Sequence, residues 1–159
     1  KRANAEFATL RKQAPRNATL ESLAGQVMRL DKNNKDIAAF YHKALKEYPG
    51  HHALIYDYAD VLLQDHRYTE ALKLLDEQVA INGNDAKLYA LQAQAYSALG
   101  RHQEEHHVLA YNYILHGDLH GAIEQLELAQ KSGNDYYQLS TIESELKQFR
   151  EVAAAYAKK

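Results

Sequence analysis

The sequence predicts an all-α protein built of repeating helix pairs, and three observations carry that prediction. Ala, Leu, Glu, Lys and Gln dominate the 159 residues, and these side chains lose little freedom in a helix. Helix breakers are sparse, with two prolines and seven glycines, the glycines placed singly. Apolar and small residues recur in steps of 34 from starts at 18, 52 and 86. In each step the third position reads Leu20, Leu54, Leu88 and the eighth reads Gly25, Ala59, Ala93. The eleventh reads Met28, Leu62, Tyr96, and the twenty-fourth reads Tyr41, Leu75, Leu109. A step of this length holds two helices of about thirteen residues and two tight turns.

The elements follow in order. Ala3, Phe7, Leu10 and Pro15 repeat the second half of a step, so residues 1–17 read as a half repeat entered in its middle, as in a fragment of a longer protein. Residues 18–51 and 52–85 are full repeats. The step from 86 then fails, because its later small-residue slots hold Glu105 and Asn112, which a tight helix pair should not bury unpaired. Restarting at 103 restores the pattern, with Ala110, Tyr113, Gly117, Ala122, Leu126 and Ala129 at positions 8, 11, 15, 20, 24 and 27. The reading is therefore 86–102 plus a shifted repeat 103–134, with a half-repeat slip near residue 100 and a kink expected there. Tyr136, Leu139, Ile142, Leu146, Phe149 and Val152 keep helical spacing through 135–159, which reads as a C-terminal cap. The whole of 1–159 reads as one domain.

Several function classes are excluded. A formal net charge of -2 with no Lys/Arg stripe argues against nucleic acid. No apolar run approaches the roughly 18 residues of a transmembrane helix. No cysteine is present, so disulfides play no part. One stretch invites a catalytic reading. In RHQEEH, residues 101–106, the residues His102, Glu105 and His106 have the H-x-x-E-H spacing of a class of zinc peptidases. Three fixed letters are a weak match in a chain with nine histidines, and zinc also needs a third protein ligand that the spacing does not supply. The stretch is expected to be a repeat turn, with no catalytic residue and no metal site in this chain.

The columns resemble the tetratricopeptide repeat, a family pattern with a small residue at the eighth position, alanines at the twentieth and twenty-seventh, and a proline at the thirty-second. Gly25, Ala71, Ala44 and Pro49 stand in those slots. The resemblance implies a solenoid of antiparallel helix pairs whose first helices line an inner face that binds polypeptides. Carried onto this chain, the inward positions are Ser22, Gln26 and Arg29, then Tyr56, Asp60 and Gln64, then Ala90 and Gln94, then His107, Tyr111 and Ile114. The candidate partner-binding residues are Gln26, Arg29, Tyr56, Asp60, Gln64, Gln94, His107 and Tyr111. Tyr56 and Tyr111 fall outside the tyrosine columns that pack between helices, which makes them candidate rigid contacts. The inward Lys and Asn that capture a chaperone's acidic tail in this family are missing. The face suits an unfolded polypeptide or another protein's surface better than a carboxylate.

Three longer strings, KQAPRNATLESLAGQVMRLDKNN, YHKALKEYPGHHALIYDYADVLL and QLSTIESELKQFREVAAAYAKK, resemble a particular family. They are similar to the C-terminal repeat domain of periplasmic M48-family zinc metalloproteases of the β-barrel assembly-enhancing kind. The resemblance implies a periplasmic, non-catalytic interaction domain whose zinc belongs to an upstream protease domain. It implies three protein partners: the outer-membrane β-barrel assembly machinery, barrel substrates such as the lipopolysaccharide-transport barrel, and that protease domain. Substrates would be engaged for assembly or degradation. Two rivals stay open: a structural module that positions or masks the parent's protease site, and a zinc-dependent hydrolase using the H-x-x-E-H stretch.

Overall fold

The computed structural model describes residues 17–30 and 36–157, and every regular element among them is a helix. These are α1 (Ala18–Arg29), α2 (Ile37–Glu47), α3 (His52–Gln64), α4 (Tyr68–Ile81), α5 (Ala86–Ala98), α6 (His102–Leu115), α7 (Leu119–Ser132) and α8 (Tyr136–Tyr156). The predicted all-α class is the observed one. The half repeat read from Ala3, Phe7, Leu10 and Pro15 lies outside the described residues. The chain divides into two compact units, residues 1–66 with α1–α3 and residues 67–159 with α4–α8.

Local chemistry starts and stops these helices. Four N-caps are polar side chains accepting from the first turn: Asn17 from the Leu20 amide at 2.9 Å, Asp85 from Lys87 at 3.0 Å, Asp118 from Gly121 at 2.8 Å and Asp135 from Gln138 at 3.0 Å. Three helices run out through a left-handed residue: His66 at φ 58°, Gly100 at 69° and Gly117 at 79°. All three are the fifteenth residue of their repeat, counted from 52, 86 and 103. After Gly100 the Arg101 amide reaches back to the Tyr96 carbonyl at 2.9 Å, and after Gly117 the Asp118 amide reaches Tyr113 at 3.0 Å. Helix α6 thus begins after one first-helix turn and ends in another. A Cβ on Gly100 would meet no atom, so Gly100→Ala tests the backbone alone. It is expected to cost about 1 kcal/mol of stability, read as a drop in urea midpoint.

In the first unit α3 is the buried helix, with Leu54, Ile55, Tyr58, Ala59, Val61 and Leu62 inside. Tyr41 of α2 is wholly buried, and its ring lies where a Cβ of Gly25 would stand. The eighth and twenty-fourth columns therefore meet, because a bare glycine on α1 makes room for a ring on α2. That ring stacks on Tyr58 at 6.5 Å and meets Phe40 edge-on at 5.6 Å.

In the second unit, Ala110 of α6, Ala122, Leu126 and Ala129 of α7, and Ile142 and Leu146 of α8 form one apolar cluster, with Tyr113, Ile114, Ile123 and Phe149 against it. The shifted small-residue columns line this contact. The two misfit polar residues are both partnered: Asn112 donates to the Ala86 carbonyl at 2.7 Å, and Glu105 pairs with His102 at 2.9 Å. The tail is a single helix of 21 residues, longer than the 14 of α7. Its middle is buried at Ile142 and Leu146, while Tyr136, Val152 and Tyr156 are exposed. The helical spacing read through 136–152 is present, but its ends lie on the surface.

Candidate functional site

Two polar groups involve the residues singled out in the sequence, one in each unit. In the first unit α1 carries Ser22, Gln26 and Arg29 at spacings of four and three, which sets them along one stripe. Opposite them α3 offers Asp57 and Asp60. The Asp57 Oδ2 atom accepts from Ser22 Oγ at 3.0 Å and from Gln26 Nε2 at 3.2 Å. One guanidinium nitrogen of Arg29 lies 3.7 Å from Asp57 Oδ1 and 3.9 Å from Asp60 Oδ2. The Tyr41 hydroxyl is buried close to both Asp57 and Arg29. Burial first, and then the Asp57 charge, push its pKa far above that of a free tyrosine, so it stays a neutral O–H.

The structure thus brings Gln26, Arg29 and Asp60 together, and the hub is Asp57, which the sequence reading missed. Its signal was its place three residues before Asp60, on the same face of a helix. Tyr56 is half-buried, and its hydroxyl is 3.3 Å from His52 Nδ1. Gln64 is exposed at the last turn of α3.

In the second unit the hub is Glu145 of α8. His107 Nε2 lies 2.7 Å from Glu145 Oε2, and the Tyr111 hydroxyl donates to Glu145 Oε1. Tyr111 also stacks on Tyr89 of α5, with ring centroids 5.2 Å apart. Burial raises the Glu145 pKa and the hydrogen bonds from His107 and Tyr111 lower it; the bonds prevail, and the carboxyl sits below its usual value. Burial and the same carboxylate push the Tyr111 hydroxyl well up. His107 and Tyr111, read in the sequence as facing a partner, are held by the chain's own last helix. Glu145 was also missed, although one charge between Ile142, Leu146 and Phe149 on an apolar stripe is a visible signal. Gln94 is exposed on α5, and Ala90 and Ile114 are half-buried.

The RHQEEH stretch forms the first turn of α6. Arg101 pairs with Glu104 at 2.6 Å and covers the Tyr96 ring, with its guanidinium carbon 4.7 Å from the centroid. His102 bonds Glu105, whereas His106 turns to Gln125 of α7 at 2.9 Å. The two histidines have separate partners, and among the described residues no three His, Cys, Asp or Glu side chains are grouped to hold a metal. Nor is any helix among them long and apolar enough to cross a membrane.

Residues 28–95 match the tetratricopeptide repeat family model. A search of curated proteins gave no match. Two solved structures share the fold. The first, "MamA RS-1 ArsTM double mutant", is 16% identical over 97% of this chain and 86% of its own, with a TM-score of 0.64. The second, MamA 41-end from Desulfovibrio magneticus RS-1, is 19% identical over 87% of this chain and 77% of its own, with a TM-score of 0.56. At that identity the likeness is one of fold.

Proposed function

We propose that this chain, an all-α protein of tetratricopeptide-repeat fold, is a protein-interaction domain that meets its partner on the α1/α3 face of its first unit. The observation that carries the reading is the loose polar layer on that face. Asp57 is anchored by Ser22 and Gln26, while Arg29 stands beyond hydrogen-bond length from both carboxylates it faces. Ion pairs this long between part-exposed side chains contribute only about 0–1 kcal/mol to stability, so folding alone gives little reason for this arrangement. In the second unit Gln94 offers an exposed polar contact, whereas His107 and Tyr111 are held by Glu145.

The finer reading rests on the three strings quoted above. The chain serves as the C-terminal domain of a periplasmic M48-family metalloprotease, docking it on the outer-membrane β-barrel assembly machinery and engaging barrel substrates. Catalysis and zinc belong to the protease domain of that parent. A photocrosslinking scan in cells, within the full-length parent, tests both levels. Photoreactive residues at Gln26, Tyr56, Asp60 and Gln94 are expected to give adducts with barrel-assembly proteins, while Lys43, Lys73 and Lys147 give none. Adducts with other proteins from the same positions would keep the interaction face and discard the barrel-assembly assignment. Adducts from the lysines alone would discard the face.

A further inference from the structure

We propose that Asn82–Gly83, in the turn between α4 and α5, is a site of spontaneous deamidation that makes this chain a substrate for a protein-isoaspartate methyltransferase. Asn-Gly occurs nowhere else in the sequence. The reaction needs the backbone nitrogen after an asparagine to reach that asparagine's side-chain carbonyl carbon, and glycine leaves this nitrogen unshielded. Three features of the turn permit it. Asn82 stands just past the end of α4 with φ -139° and ψ 79°, outside any helix. Its own backbone amide is held by the Gln78 carbonyl at 2.9 Å, but among the described residues neither its side-chain amide nor the Gly83 N–H has a hydrogen-bond partner. Gly83 is exposed and Asn82 half-buried, so water reaches the turn.

The Gly83 nitrogen gives up its proton and bonds to Asn82 Cγ, while the Cγ–Nδ2 bond breaks and the side-chain nitrogen leaves with that proton as ammonia. Water then opens the cyclic imide. Attack at Cγ leaves aspartate. Attack at the main-chain carbonyl leaves isoaspartate, with the chain rerouted through the side chain and longer by a methylene. The fold does not demand glycine at 83. Its backbone is not left-handed, and a Cβ would meet the Tyr89 hydroxyl and the Val79 carbonyl at 3.5 and 3.6 Å, which are ordinary contacts. The isoaspartyl product, by contrast, lengthens the chain beside groups with fixed places. Tyr89 stacks on Tyr111, and Asp85 caps α5 at the Lys87 amide.

The test ages the full chain for days in mildly alkaline buffer, with a parallel sample unfolded in urea. Peptide mass mapping then locates the change, and a protein-isoaspartate methyltransferase with labelled S-adenosylmethionine reports the isoaspartyl form. The folded chain is expected to show the amide-to-acid mass gain first in the peptide holding Asn82, ahead of the other asparagines, and to accept label there. Asn82→Gln is expected to lose both signals. Gly83→Ala, whose methyl the turn accommodates, is expected to slow them about tenfold by shielding the nitrogen. Should Asn82→Gln lose its helical circular dichroism, Gly83→Ala alone carries the comparison. Change at Asn82 in urea but not in the folded chain would overturn the proposal, because the fold would then hold the reacting groups apart. A different asparagine changing first in the folded chain would overturn it too.

Discussion

Gly25→Ala is expected to lower the unfolding free energy by about 2–3 kcal/mol, although the same change inside an exposed helix raises it by nearly 1. The sign reverses because of one neighbour. The Tyr41 ring fills the space the new methyl would need, and Tyr41 cannot retreat, being wholly buried, stacked on Tyr58 and crossed edge-on by Phe40. A shift of the urea midpoint to lower concentration with an unchanged slope is the expected reading. The double variant Gly25→Ala/Tyr41→Leu separates this clash from any general intolerance of α1, since the shorter side chain vacates the contested space. Its loss should fall well short of the sum of the two single losses. A stabilising Gly25→Ala would mean that the close approach of α1 and α2 is not present in solution. The polar layer of Arg29 and Asp57 beside Tyr41 would fall with it.

The same pair shows what was legible in the sequence. Columns eight and twenty-four fixed which residues pack, and Gly25 with Tyr41, or Ala110 with Leu126, then occur where helices meet. Gly117, at the turn position of the frame restarted at 103, adopts the same left-handed backbone as Gly100. The polar hubs were not legible. Asp57 and Glu145 lie outside the positions a repeat pattern marks as facing a partner, and each earns its role from residues 31 to 38 positions away. Periodicity reports which face of a helix is apolar; it says nothing about which charge on a neighbouring helix will meet a donor. For the same reason His107 and Tyr111 read as open, because the pattern could not place the tail helix against them.

Glu145→Ala is expected to cost about 2–3 kcal/mol, the second large effect, since it leaves both the His107 ring and the Tyr111 hydroxyl half-buried without their acceptor. Part of that loss should be reproducible in the natural chain by acid alone. The Glu145 carboxyl titrates below its unfolded value of about 4.3, so its contribution is fully present above that value and disappears as pH falls through the lower, folded one. Unfolding free energies measured from pH 6 down to pH 3 should therefore fall more steeply for the natural chain than for Glu145→Gln, whose amide keeps an acceptor but cannot titrate. The two curves should converge at the acid end, where the natural carboxyl is protonated and neutral like the amide. Parallel curves would show that the carboxylate is not what ties α8 to α6, leaving the apolar packing of Ile142, Leu146 and Phe149 to hold it. Convergence would assign the tail helix a charged lock, and would account for two of the sequence's partner-facing candidates being engaged within the chain.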